Sequence, residues 1–378
     1  MKRNLFIAQP VLGDEEWEAL KEPLFSGWVT QGPKVAEFER LFGERHQVKH
    51  ALACTSATTA LHLALAALDI GEGDEVLVPS FTWIASANVV IYCGGTPVLV
   101  DIDLKTFNMD AEDVARKVTD KTKAIIAVHL FGLCADMDAI KSAAPGIPIV
   151  EDAACAAGSA YKGTPAGGLG DFGCFSFHPR KSITTGEGGM VTTNNDAHGE
   201  LVNMLRNHGA SVSEEQRHHG PKPYILPDFN MLGFNYRMTD LQGAVGVVQM
   251  GKLDRLIAER HQAALNYNEA LKDIEWLSTP EIHPDFTPGW QSYVLLVDES
   301  KSPISRNDMM EKLQEEGVST RPGTHAVHML NYYKDRYEYK PEDFPNSKIA
   351  AETTMAIPFH NLMSEEDYAY VVKKIKAL

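Results

Sequence analysis

Cysteine is scarce in this sequence, basic residues are outnumbered, and no long apolar run exists. Each shortage excludes something. The five cysteines, Cys54, Cys93, Cys134, Cys155 and Cys174, are scattered and never spaced Cys-x-x-Cys. They offer neither a disulfide framework nor a zinc knuckle, and suit reduced thiols. Lys and Arg total 35 against 51 Asp and Glu, a formal net charge of −16. Nucleic-acid binding needs clustered cations, so no nucleic-acid partner is expected. No apolar run reaches the roughly 18 residues of a membrane-crossing helix. Met1-Lys2-Arg3-Asn4-Leu5-Phe6 lacks the apolar stretch of a secretory leader, so a cytoplasmic protein without a membrane partner is expected. His325 and His328 lie three apart without further ligands, and no metal site is expected.

What is present is an α/β pattern. With 378 residues, 44% of them hydrophobic, the chain can bury the cores of about two domains. Strand-like apolar runs at 75–78, 96–100, 123–128, 147–150 and 172–177 alternate with helical stretches such as 58–68 and 84–92. That rhythm predicts a largely parallel sheet covered on both faces. A charged helix is expected from about Leu253, opening a smaller α/β domain over 252–378 after a large domain over 1–251. The His- and Pro-containing stretch 211–229 reads as a long loop.

Three features carry chemistry. Lys181 follows the apolar run Phe175-Ser176-Phe177 and precedes Ser182-Ile183-Thr184-Thr185-Gly186-Glu187-Gly188-Gly189. An amine there can form a Schiff base with an aldehyde, and pyridoxal phosphate is the aldehyde most enzymes use; a plain surface lysine is the alternative. Asp152 closes the run Ile147-Pro148-Ile149-Val150-Glu151, 29 residues before the lysine (181 − 152). A carboxylate at the end of a buried parallel strand can pair with a protonated pyridine nitrogen, or simply cap a helix. Thr55-Ser56-Ala57-Thr58 precedes a strong helix former. A hydroxyl-rich helix start can cradle phosphate, though the same residues make an ordinary N-cap.

In this order the three features resemble the DegT-like sugar aminotransferases, pyridoxal-phosphate enzymes of fold type I. The likeness runs nearly end to end. It includes Ser26-Gly27-Trp28-Val29-Thr30-Gln31-Gly32-Pro33, Pro79-Ser80-Phe81-Thr82-Trp83, Glu151-Asp152-Ala153-Ala154, Arg206-Asn207-His208-Gly209 and Gly233-Phe234-Asn235-Tyr236-Arg237-Met238. The resemblance implies the aspartate-aminotransferase fold and a pyridoxal 5′-phosphate cofactor. Lys181 would be anchor and proton carrier, and Asp152 the ring-nitrogen partner. Trp83 would stack on the ring, a core aromatic being the alternative. Ala57, Thr58 and Ser176 would hold the phosphate together with Asn235 from a neighbouring subunit, which makes a homodimer with shared active sites.

Two positions depart from the family pattern. Ala57 stands where glycine is common, and is tolerable only if its backbone φ is negative. Cys155 stands where Gln or His often meets the ring oxygen, and a thiol is a weak donor. Trp28, Thr30, Gln31 and His208 would line the substrate site. Arg321 would meet a diphosphate or lie on the surface. Family members that dehydrate sugars carry His at the Lys181 position, so dehydration is disfavoured. Thr320-Arg321-Pro322 with Trp290-Gln291-Ser292-Tyr293 looks most like perosamine synthases, which aminate carbon 4 of GDP-4-keto-6-deoxymannose in O-antigen precursor synthesis. Glutamate would be the amino donor. The alternatives are a UDP- or dTDP-linked keto sugar, a 3-keto sugar, a cyclitol ketone, or a non-catalytic pyridoxal-binding regulatory protein.

Overall fold

The computed structural model describes residues 3–210, 226, 228–281 and 283–378. Seven strands form the central sheet, in the order His50–Cys54, Gly189–Thr193, Phe172–Ser176, Ile149–Asp152, Thr122–Val128, Glu75–Pro79 and Thr96–Val100. All neighbours pair in parallel except Gly189–Thr193, which runs antiparallel to both its partners. The expected parallel sheet is therefore present with one reversed strand. That strand was hidden because it opens on Gly188-Gly189 directly after the lysine loop, where glycine reads as loop. The central strands are buried on both faces, as their uninterrupted apolar runs require.

Helices cover the sheet on both sides. Ala57–Ala67 starts at Ser56, whose hydroxyl accepts the Thr59 N–H at 3.2 Å while Thr59 Oγ1 accepts the Ser56 N–H at 3.0 Å. This reciprocal capping pins the helix start beneath the strand ends. A smaller three-stranded antiparallel sheet, Leu277–Ser278, Tyr293–Val297 and Thr354–Ile357, carries a separate apolar cluster around Tyr267, Tyr293, Met355 and Phe359.

One helix joins the two cores. It was expected near Leu253 but begins at Asp240 and runs 32 residues to Leu271, about 48 Å. Gly243, Gly246 and Gly251 lower the helical signal of its first half. Packing explains two of them. A Cβ at Gly243 would lie 2.7 Å from Val35 N, and one at Gly246 would lie 2.8 Å from the Phe38 ring. The helix thus presses backbone-close against Pro33–His46. Its Leu253, Leu256 and Ile257 belong to the large core and its Ala263, Ala264, Tyr267 and Leu271 to the small one. The expected loop over 211–229 falls outside the described residues, apart from 226, 228 and 229. No described helix is long and apolar enough to cross a membrane.

Candidate active site

The site forms where strands end and loops begin. Cys54, Gly189 and Ser176 lie side by side across three strands. Beyond Cys54 the chain turns through Ser56 into the helix. A side chain at Gly189 would place Cβ 2.3 Å from Ser56 O and 2.8 Å from Ala57 N. Glycine there lets the helix start settle directly on the sheet, next to Ser176. The Ala57 and Thr58 N–H groups belong to the first helical turn, which has no carbonyls of its own to receive them. Ala57 is helical and is not among the described residues with positive φ, so its methyl is unstrained. Ser176 is buried, and its hydroxyl accepts only a long 3.3 Å bond from the His178 N–H. Two N–H groups and a hydroxyl thus end neighbouring elements, a donor set of the kind that could hold a phosphate.

Asp152 ends its strand buried, with Ser86 Oγ donating to Oδ2 at 2.7 Å and the Ala154 N–H donating to Oδ1 at 3.2 Å. Its neighbour Glu151 points the other way and is purely structural. Glu151 accepts the N–H groups of Gly167, Leu169 and Gly170 at 2.7–2.8 Å and His129 Nε2 at 2.9 Å. Ala135 N–H donates to His129 Nδ1, so Nε2 carries the hydrogen that faces Glu151.

Lys181 rides a loop closed at its base by Phe177 N–H to Gly188 O, 2.9 Å. Within it Thr184 Oγ1 donates to Phe177 O at 2.7 Å. The long helix steadies the loop twice: Gln249 Oε1 accepts the Thr184 N–H, and Gln242 Nε2 donates to Glu187 O. Lys181 Nζ reaches Cys155 Sγ at 3.1 Å. Trp83 is 61% exposed, which removes the core-aromatic alternative. Its indole faces the ring of His325, 5.5 Å away, a neighbour delivered by the pairing of His325–Ala326 with Phe81–Thr82. His328 instead is buried on Ser80 at 2.6 Å, so the two histidines face different surroundings.

The remaining sequence-derived residues fall into three places. Asn235 is exposed, bridged to Asn207, and lies beside His208, whose N–H bonds Phe234 O. Trp28, Thr30 and Gln31 form a loop held by Asp240. That buried carboxylate accepts the N–H groups of Gly32, Lys34 and Val35, and its own N–H donates to Thr30 O. Burial outweighs these bonds and pushes the Asp240 carboxyl above its ordinary pKa. Arg321 pairs through its backbone with Ala356, and its Nε is buried without a hydrogen-bond partner. Burial, then the charge of Arg180, pulls its guanidinium below the usual arginine pKa. Sequence reasoning missed Ser86, Gly189 and Asp240, whose roles exist only through partners far along the chain.

A family model, the DegT/DnrJ/EryC1/StrS aminotransferase family, matches residues 10–376. The chain belongs to this family. It is 38% identical over 380 residues to the spore coat polysaccharide biosynthesis protein SpsC of Bacillus subtilis, covering 99% of this chain and 97% of that one. Streptococcus pneumoniae Spr1654, solved in pyridoxal-phosphate form, superposes with a TM-score of 0.90 at 28% identity, over 99% of this chain and 100% of the other. Helicobacter pylori PseC, an aminotransferase involved in the biosynthesis of pseudoaminic acid, gives 0.90 at 25% identity over 99% of each chain. The fold is that of the type I aminotransferases, and this DegT-family protein is an aminotransferase that uses pyridoxal phosphate. The cradle, Asp152 and Lys181 fit that group.

Proposed function

We propose that this enzyme transfers an amino group from glutamate to the keto carbon of a nucleotide-linked 4-keto-6-deoxy sugar of the GDP-4-keto-6-deoxymannose type, for polysaccharide or glycan precursors. The observation that carries the transfer chemistry is Lys181 Nζ at 3.1 Å from Cys155 Sγ, on a pinned loop whose strand ends beside the phosphate cradle. The sugar assignment draws on the polysaccharide and pseudoaminic-acid contexts named for SpsC and PseC. The GDP and 4-keto assignments draw on Thr320-Arg321-Pro322 and Trp290-Gln291-Ser292-Tyr293.

In this reading Ala57, Thr58, Ser176 and the partner subunit's Asn235 hold the phosphate. Trp83 would stack on the cofactor ring, and Cys155 would contact it. Bound pyridoxal phosphate supplies the electron sink that acidifies the carbon bearing the migrating amine. Asp152 keeps the ring nitrogen protonated, because a buried carboxylate favours a cation beside it. Lys181 Nζ takes the proton from the donor's α-carbon and, in the second half-reaction, returns one to the sugar carbon. Trp28, Thr30, Gln31 and His208 border the sugar, and the buried unpaired Nε of Arg321 suits a diphosphate oxygen. The domains are read as 1–251, bearing the cofactor, and 252–378, joined by the helix Asp240–Leu271, whose Leu253, Leu256 and Ile257 still pack in the large core.

The test is to load the protein with cofactor and glutamate and offer GDP-, UDP- and dTDP-linked 3- and 4-keto sugars. The expected product is the 4-amino GDP sugar. A clear preference for another nucleotide or ring carbon would overturn the substrate assignment while leaving the transfer chemistry intact.

A further inference from the structure

The two residues flanking Lys181 are both tied to one short segment of the chain more than a hundred residues later. Gln291 Nε2 donates to Arg180 O at 3.0 Å, and Ser182 Oγ donates to Gly289 O at 3.4 Å. Gln291 is buried, 6% exposed, and every other polar group of its backbone is engaged. Its N–H donates to Phe131 O at 3.1 Å, and its carbonyl accepts Arg260 Nη1 at 3.2 Å. The same guanidinium nitrogen bonds Trp290 O at 2.9 Å, and Arg260 Nε reaches Asn361 Oδ1 at 2.8 Å.

The segment is held against its own preference. Trp290 (φ +50) and Phe131 (φ +58) both occupy the left-handed region that bulky residues avoid. Such strain persists only where the surroundings over-determine it, and it concentrates where position matters. Gly132 makes the junction possible, since a Cβ there would lie 2.7 Å from Trp290 N. Two residues past Gln291 the small-sheet strand Tyr293–Val297 begins. Its Val294 faces Ala356, which also pairs with Arg321.

We propose that Gln291 is a positioning residue for Lys181: its side-chain amide fixes the lysine's backbone from the frame of the small sheet, the frame that also carries Arg321. The lysine and the side chain read above as meeting the substrate diphosphate then move as one unit. The Arg321 clause rests on that functional reading; the placement of Lys181 does not.

Gln291→Leu and the near-isosteric Gln291→Glu remove the donated bond and keep the backbone bonds to Phe131 and Arg260, so folding should survive. In cofactor-free protein, hydrogen exchange of a peptide spanning Lys181 should quicken about tenfold, the effect of one lost hydrogen bond. In cofactor-loaded protein, the pH midpoint of the visible absorbance should shift. The single-turnover rate with the amino donor the wild type accepts should fall about tenfold, with that donor's KM changed less than about twofold. Ser182→Ala, losing only the longer contact, should move each readout in the same direction but less. Unaltered exchange and an unaltered pH midpoint in folded Gln291→Leu would overturn the proposal. So would a change confined to thermal stability. A different sugar preference would leave all these readouts untouched, so failure of the substrate reading is distinguishable.

Discussion

Ser86 Oγ lies 2.7 Å from Asp152 Oδ2 and, at 3.1 Å, beside Thr82 Oγ1. The serine gives its hydrogen to the carboxylate and takes one from the threonine. The carboxylate is therefore oriented by a helix residue, with no cation needed. Ser86→Ala should slow transamination about tenfold with cofactor retained, the scale of a hydrogen bond to a charged group. Asp152→Asn should cost on the order of a hundredfold, since a neutral amide cannot sustain the ring cation. Steady-state kinetics on both variants check this, and near-normal rates would remove Asp152 from its role.

Lys181 should carry the covalent link. Purified protein should be yellow, and borohydride followed by peptide mapping should place the label on Lys181. Lys181→Ala should still bind cofactor through the cradle yet lose turnover almost completely. Label on another lysine would reassign the base.

Gly189→Ala tests the cradle without touching a reacting group. The added methyl would drive against Ser56 O and Ala57 N and push the helix start off the sheet. Cofactor affinity, measured by equilibrium dialysis, should fall at least about tenfold, while unfolding changes by about 1–3 kcal/mol.

His46 predicts a pH effect on stability. It is fully buried, stacked on Phe42 and bonded through Nδ1 to Ala166 O, and burial lowers its pKa to about 4. Below about pH 6.5 the unfolded chain takes up a proton that the native ring refuses, so stability falls as pH drops toward 4 and then levels off. His46→Gln should flatten that limb of the urea midpoint against pH. An unchanged slope would place the titration elsewhere.

Assembly can be tested by complementation. If the partner's Asn235 completes the cradle, mixing Lys181→Ala chains with Asn235→Ala chains gives dimers with one doubly damaged and one intact site. Activity at low cofactor concentration should reappear on mixing. Failure despite verified subunit exchange would count against shared sites.

The sequence made the chemistry legible where a residue type is scarce in its setting. Lys181 amid an apolar run and glycines, Asp152 at a strand end and hydroxyls before a helix all stand out locally. What stayed hidden depends on long-range approach. Ser86 looks like any small residue in the apolar helix Ala85–Tyr92, and Asp240 like an ordinary first-turn acid, until Gly32–Val35 arrives from 205 to 208 positions away. Gly243 and Gly246 argued against the helix they serve, because propensity registers a missing side chain and not the neighbour that needs the space.

The pairing of Cys54 with Gly189 sets a timetable for synthesis. The two strands are separated by 135 positions (189 − 54), so the Ser56 turn cannot seat until nearly two hundred residues have left the ribosome. At about 5–20 residues per second the 135 intervening positions take roughly 7–27 seconds. Through that interval the nascent chain would present half of the proposed phosphate cradle, and cofactor capture would follow the closing of the sheet.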